Sequence, residues 1–179
     1  NKEAALAARD LCSTNKFKVY YNPDMCGIEI AGAVKNVMAL GSGIISGLGY
    51  GENTSSALIA RGIAEMQSLA VAMGGKPETF IGLAAVGDMI VTCMSEDSRN
   101  FTCGKLIGGG MDPIEARDSI GMVVEGMFTA EALHELQAKF NVEMPITEAI
   151  YDVIHGNITV AEAMDKLFLT DRVDELNTF

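Results

Sequence analysis

Residues 28–48 form a long apolar stretch rich in glycine, bracketed by Glu29 and Glu52, in which Lys35 is the only charge between those two acids. The length invites a membrane-spanning reading. Two features argue against it. Lys35 and Asn36 would sit inside the span, and glycine recurs at positions 32, 41, 43, 47, 49 and 51. The stretch is therefore read as a soluble helix buried on nearly all sides, with no membrane span expected.

The flanking sequence supplies helices to surround it. Residues 3–12 read as the end of a helix, and KFKVYYN (16–22) alternates like a strand before Asn22-Pro23-Asp24 breaks it. Asn53-Thr54 looks like the N-cap of a helix over 55–73, stopped by Gly74-Gly75. Pro77 opens a short helix, and Gly87 interrupts a second apolar stretch, residues 80–93. Residues 95–110 are polar and glycine-rich, and read as loop. Asp112-Pro113-x-Glu115 starts a short helix, and residues 129–140 and 145–155 are amphipathic helices. Thr159-x-x-Glu162 is a capping box for a last helix ending near Leu169. The expected fold class is mainly α: a helix–strand remnant (1–24), then an all-helical domain (25–179). One helix and one strand cannot bury their own apolar faces, so 1–24 read as the last pieces of a preceding α/β domain.

Composition narrows the function classes. With 13 basic and 24 acidic residues the net charge is −11, which argues against an extended nucleic-acid or anionic-membrane surface. The charge is uneven: net 0 over 1–29, −1 over 30–110 and −10 over 111–179. An anionic substrate is thus repelled by the last third of the chain but not by its middle. Cys12, Cys26, Cys93 and Cys103 form no CxxC pair, and with only His134 and His155 beside them no metal site is expected. A reduced, cytoplasmic setting follows. The first residue is Asn1 rather than Met, which points to a processed or truncated chain.

Three places carry chemistry. Lys35 lies in the apolar helix with Ala31, Gly32, Met38 and Ala39 one turn away. Small neighbours leave room for a ligand, and a desolvated ammonium gives up its proton more readily, as a proton acceptor must. The bland alternative is a lysine snorkelling to the surface. Asp88 is the only acid between Glu78 and Glu96. It reads either as a partner orienting Lys35 or as a helix N-cap. Ser98-Arg99-Asn100 sets a hydroxyl, a guanidinium and an amide side by side, a set suited to phosphate oxygens, though loops also read SRN by chance. The glycine clusters match no nucleotide-binding motif, and helix packing and tight turns explain them better. Cys93 and Cys103 read as buried or incidental thiols.

Together GIEIAGAVKN (27–36), GLGYGENTSSALIARGIAEM (47–66) and GLAAVGDMIVTCMSEDSRN (82–100) resemble NAD(P)-dependent glycerol-3-phosphate dehydrogenase of the bacterial type. The likeness continues through MVVEGMFTA (122–130) and VEMPITEAIYDVIHG (142–156). It implies the helical C-terminal substrate domain, of the 6-phosphogluconate dehydrogenase C-terminal type, preceded by the tail of a Rossmann domain. It also implies interconversion of dihydroxyacetone phosphate and sn-glycerol 3-phosphate with NAD or NADP, a step toward phospholipids. By motif, Lys35 takes the proton-transfer role. Asp88, Ser98, Arg99 and Asn100 fall at the substrate, with Asn36 and Thr92 near the phosphate and the lysine. Arg99, Val123 and Glu125 fall at the cofactor.

The implied partners are a small phosphorylated substrate and an N-terminal nucleotide-binding domain, with a homodimer as an open reading. The GxGxxG motif is absent from these residues, so the chain by itself is expected to be inactive. Two alternatives stay open: the same domain from a related hydroxy-acid or sugar-acid dehydrogenase, and a non-catalytic helical dimerisation module.

Overall fold

The apolar stretch forms one helix, α2 (Met25–Gly47), in a computed structural model that describes residues 1–168. By length and composition alone α2 would cross a membrane, yet most of it is buried by neighbouring helices. Val34, Val37, Met38, Ala39 and Leu40 have no exposed surface. Each large apolar side chain buried this way contributes about 1.5–3 kcal/mol.

Around α2 lie α3 (Glu52–Ala72), α4 (Asp88–Met94), α5 (Arg99–Gly108), α6 (Pro113–Ser119), α7 (Glu125–Phe140), α8 (Pro145–Ile154) and α9 (Val160–Phe168), with α1 (Lys2–Cys12) preceding. The axis packs most extensively on α5, then on α3, α7 and α4. A 3₁₀ turn (Pro77–Ile81) and one π turn (Leu83–Gly87) lead into α4. Asp24 caps α2, accepting from Gly27 N at 3.0 Å, and also binds Lys76 N and the Thr79 hydroxyl. The Thr79 hydroxyl, then the Gly27 N–H, hold its carboxyl below the ordinary range.

The structure corrects three readings. No strand forms among the described residues. Residues 17–24 carry no regular structure, and with no partner strand their backbone bonds go to local groups such as Ser13 Oγ, which accepts from Val19 N. The cap of α3 is Gly51, with no side-chain bond, rather than Asn53-Thr54. Residues 99–108 are helix rather than loop, because Ser98 caps α5 and its glycines are packing surfaces. The helix end expected near Leu169 lies outside the described residues.

Gly43 and Gly47 on α2 face Gly104 and Gly108 on α5. A Cβ at Gly43 would collide with the Phe101 carbonyl, and one at Gly104 with that of Leu40. The two backbones touch where side chains would hold them apart. The expected capping box is present, with Thr159 N donating to Glu162 and Glu162 N to Thr159 Oγ1.

Glu65, buried on α3, caps a different helix. Its carboxylate accepts from Ile146 N (2.6 Å), Thr147 N (3.1 Å) and Thr147 Oγ1 (2.8 Å), at the start of α8, whose own cap residue Met144 offers no side-chain cap bond. Burial pushes this carboxyl up to about 7, against those three donors, which pull it down. A raised folded value means the native state holds the proton more tightly than the unfolded chain. That contribution is complete below about pH 4.5 and is lost as pH rises through about 7. Urea unfolding of wild type against Glu65→Gln should show a difference in stability that varies with pH inside that window, by up to about 1.4 kcal/mol per pH unit. A difference independent of pH would contradict it.

Candidate active site

Lys35 and Asp88 meet. Lys35 Nζ lies 2.5 Å from Asp88 Oδ2, with side chains 24% and 39% exposed. The position of each follows from its helix. Lys35 faces off the middle of α2 between the buried Val34 and Val37. Asp88 sits in the first turn of α4 and makes no cap bond, since its side chain turns to the lysine instead. Thr92, one turn on, donates to the Asp88 carbonyl at 2.6 Å and reaches its carboxylate at 3.4 Å. The lysine therefore does not snorkel free, and the aspartate is not a cap.

A second polar group adjoins the pair through the next residue of α2. Asn36 Nδ2 donates to Gly32 O and to Glu125 Oε2, both at 3.2 Å. Asn100 Nδ2 donates to Asn36 Oδ1 at 3.0 Å, and Asn100 Oδ1 accepts from Gly126 N at 2.9 Å. Asn100 is buried, whereas Arg99 beside it is exposed and has no ion-pair partner among the described residues. Ser98 accepts from Phe101 N at 3.3 Å as the α5 cap. Val123 is exposed, and Glu125 opens α7.

The structure thus brings Lys35, Asp88 and Thr92 into one cluster and Asn36, Asn100 and Glu125 into another. Ser98, Arg99 and Val123 are placed by chain adjacency, without a side-chain bond to either. The triplet 98–100 is the first turn of a helix rather than a flexible loop, so its residues leave in different directions. Sequence reasoning missed Gly126, whose N–H closes the second cluster. Its signal was the glycine directly after Glu125, at the start of a helix that begins four residues before the expected 129.

The cysteines take no part. Burial pushes Cys93 up to about 12 and Cys103 up to about 11, so both thiols stay protonated and unreactive. An apolar hollow lined by Gly41, Leu58 and Ile150 lies away from both clusters, whereas Val123 lines an open hollow with Arg117 and Phe128. The Lys35–Asp88 pair is partly open to solvent.

Residues 24–165 match the family described as NAD-dependent glycerol-3-phosphate dehydrogenase C-terminus. Glycerol-3-phosphate dehydrogenase [NAD(P)+] of Bacillus pumilus is 48% identical over 176 residues, covering 98% of this chain and 51% of that protein. The enzyme of the same name from Clostridium botulinum is 47% identical, covering 98% and 53%. Among solved structures, glycerol-3-phosphate dehydrogenase from Coxiella burnetii superposes with a TM-score of 0.90 at 37% identity, over 95% of this chain and 52% of that one. The Saccharomyces cerevisiae glycerol-3-phosphate dehydrogenase gives 0.81 at 29%, over 90% and 48%. The chain spans about half the length of the curated relatives it matches. With the helical fold matched and the family likeness running from before α2 into α9, the chain belongs to the NAD-dependent glycerol-3-phosphate dehydrogenase C-terminal family.

Proposed function

We propose that this chain is the substrate-binding half of an NAD(P)-dependent glycerol-3-phosphate dehydrogenase, reducing dihydroxyacetone phosphate to sn-glycerol 3-phosphate for phospholipid synthesis in a reduced, cytoplasmic setting. The observation that carries this reading is the Lys35–Asp88 pair, partly open to solvent. Residues 1–24 fit the tail of the preceding nucleotide-binding domain. No residue of α1 is buried, and Leu11, Phe17 and Tyr20 are left exposed, apolar surface that a larger domain would cover. Two of the four cysteines are buried and none is paired, in keeping with the reduced setting.

The bound nicotinamide would supply the hydride for the ketone carbon. Arg99, Val123 and Glu125 suit that cofactor: a free guanidinium for diphosphate charge, an exposed apolar side chain, and a carboxylate that accepts from hydroxyl or amide groups. The remaining work belongs to this chain. The Lys35 ammonium stabilises negative charge growing on the substrate oxygen and donates the proton that completes the alcohol. In the oxidation direction neutral Lys35 takes the hydroxyl proton. Asp88 holds the ammonium in place, and Thr92 holds Asp88. Arg99 carries charge for the phosphate, and this remote binding orients the carbonyl.

Two measurements test the proposal. The full-length enzyme should reduce dihydroxyacetone phosphate with NADH or NADPH and discriminate against hydroxy-acid and sugar-acid substrates. Arg99→Ala should lower kcat/KM for dihydroxyacetone phosphate by about ten- to a hundredfold, since a lost charge-assisted phosphate contact is worth roughly 1.5–3 kcal/mol. Preference for a substrate without phosphate would refute the reading.

A further inference from the structure

Resting on that dehydrogenase reading, we infer that Gly32 determines specificity: its missing side chain leaves a space beside the Lys35 ammonium into which the hydroxymethyl end of dihydroxyacetone phosphate fits. Glycine in the middle of a helix destabilises it relative to alanine, so its presence there calls for a reason. Packing supplies one for the other glycines of α2. A Cβ would meet Asp24 at Gly27, Ile150 at Gly41, the Phe101 carbonyl at Gly43 and the Lys105 carbonyl at Gly47. A Cβ at Gly32 would meet nothing within 4 Å, and the helical backbone there accepts alanine without strain. Among the described residues no protein atom accounts for this glycine.

The empty space has the site for its neighbours. Gly32, Lys35 and Asn36 follow one another within about one turn on the half-buried face of α2. A helical side chain leans toward the N-terminus of its helix, so Lys35 leans toward the turn that holds Gly32, and Asp88 Oδ2 holds its Nζ at 2.5 Å. On the other side, Asn36 accepts from Asn100 at 3.0 Å, which sets the first turn of α5, with Arg99, beside Asn36. The order along α2 matches a three-carbon substrate. Its phosphate lies at the α5 end, its carbonyl oxygen at Lys35, and its last carbon with the free hydroxyl over Gly32. A methyl group at position 32 would take that last place.

The test uses the full-length enzyme with Gly32→Ala and two phosphorylated carbonyl compounds. Glycolaldehyde phosphate is dihydroxyacetone phosphate with a hydrogen in place of the hydroxymethyl group. It is followed by kcat/KM, or by its Ki against dihydroxyacetone phosphate where turnover is slow. Gly32→Ala should lower kcat/KM for dihydroxyacetone phosphate by about ten- to a hundredfold, the scale of one methyl group in a fitted pocket. Glycolaldehyde phosphate should stay within about twofold of wild type, since it leaves the space empty. NADH affinity without substrate should be unchanged, and the thermal midpoint of the unliganded enzyme should rise by about 1–4 °C. Equal losses for the two compounds would overturn the inference, because a displaced Lys35 penalises both alike. Wild-type turnover of dihydroxyacetone phosphate would overturn it as well. So would NADH binding weakened as much as the ketone reaction, which gives the space to the cofactor, or a midpoint no higher than wild type, which means protein atoms already fill it. Failure of the dehydrogenase reading is distinguishable, because the wild-type enzyme itself would then not reduce dihydroxyacetone phosphate.

Discussion

Lys35→Ala in the full-length enzyme should lower kcat by about a thousandfold to ten-thousandfold and leave the fold intact. Two effects are lost together. Proton transfer from a positioned side chain contributes typically 10²–10⁴-fold, and a cation at the developing alkoxide overlaps with that contribution rather than multiplying it. Stability should change little. The ion pair is partly solvated, with Asp88 39% exposed, so after screening it is worth under about 1 kcal/mol. Steady-state kinetics alongside a thermal melt separates the two outcomes. Turnover within about tenfold of wild type would remove Lys35 from the chemistry. Asp88→Asn should lie between wild type and Lys35→Ala, since it keeps a hydrogen-bond acceptor but loses the charge that steadies the ammonium.

The largest effect on stability is expected at the contact between α2 and α5. Gly104→Ala places a methyl group against the Leu40 carbonyl, with Leu40 C at 2.9 Å and Ile44 N at 3.0 Å. These are backbone atoms of the central helix and cannot turn aside like a side chain. Helix propensity alone would favour alanine by about 1 kcal/mol, so a net loss isolates the packing. The loss should reach about 3 kcal/mol, at the top of the range for overpacking, read as a lowered midpoint in urea with unchanged slope. Gly110→Ala offers a contrast. Nothing lies within 4 Å of a Cβ there, and its cost comes only from φ +99°. Equal stability for Gly104→Ala and wild type would mean that the two helices are not in contact through their backbones.

Much of the helical architecture was legible because it is written in local patterns. Asp112 followed by Pro113 caps α6, accepting from Ile114 N and Glu115 N as its spacing implies. Gly74 ends α3 at φ +94°, and Gly156 follows α8 at φ +69°. These signals act within one or two turns, where chain chemistry decides the outcome without help from distant residues.

The misread segments failed for a shared reason. RNFTCGKLIG looks like loop because two glycines and several polar residues lower its helix propensity, while its partner surface lies more than fifty residues earlier in the chain. The spacing of Gly43 to Gly47 and Gly104 to Gly108 is four residues in each case, the pattern that lets two helix backbones approach. Only the pairing of those two motifs reveals a helix. KFKVYYN erred in the opposite direction: alternation is a strand pattern, but a strand needs a neighbouring edge to bond.

By itself, then, the sequence determined the class of residue at the site, the helical periodicity and the family, since these depend on residue identity and short-range spacing. Tertiary structure alone decided that Lys35 and Asp88, 53 positions apart, form an ion pair, that Glu65 caps a helix 81 positions away, and that Asn100 turns inward to Asn36 and Gly126. Each of these contacts depends on the orientation that packing imposes on a side chain, and no rule of local spacing encodes that direction.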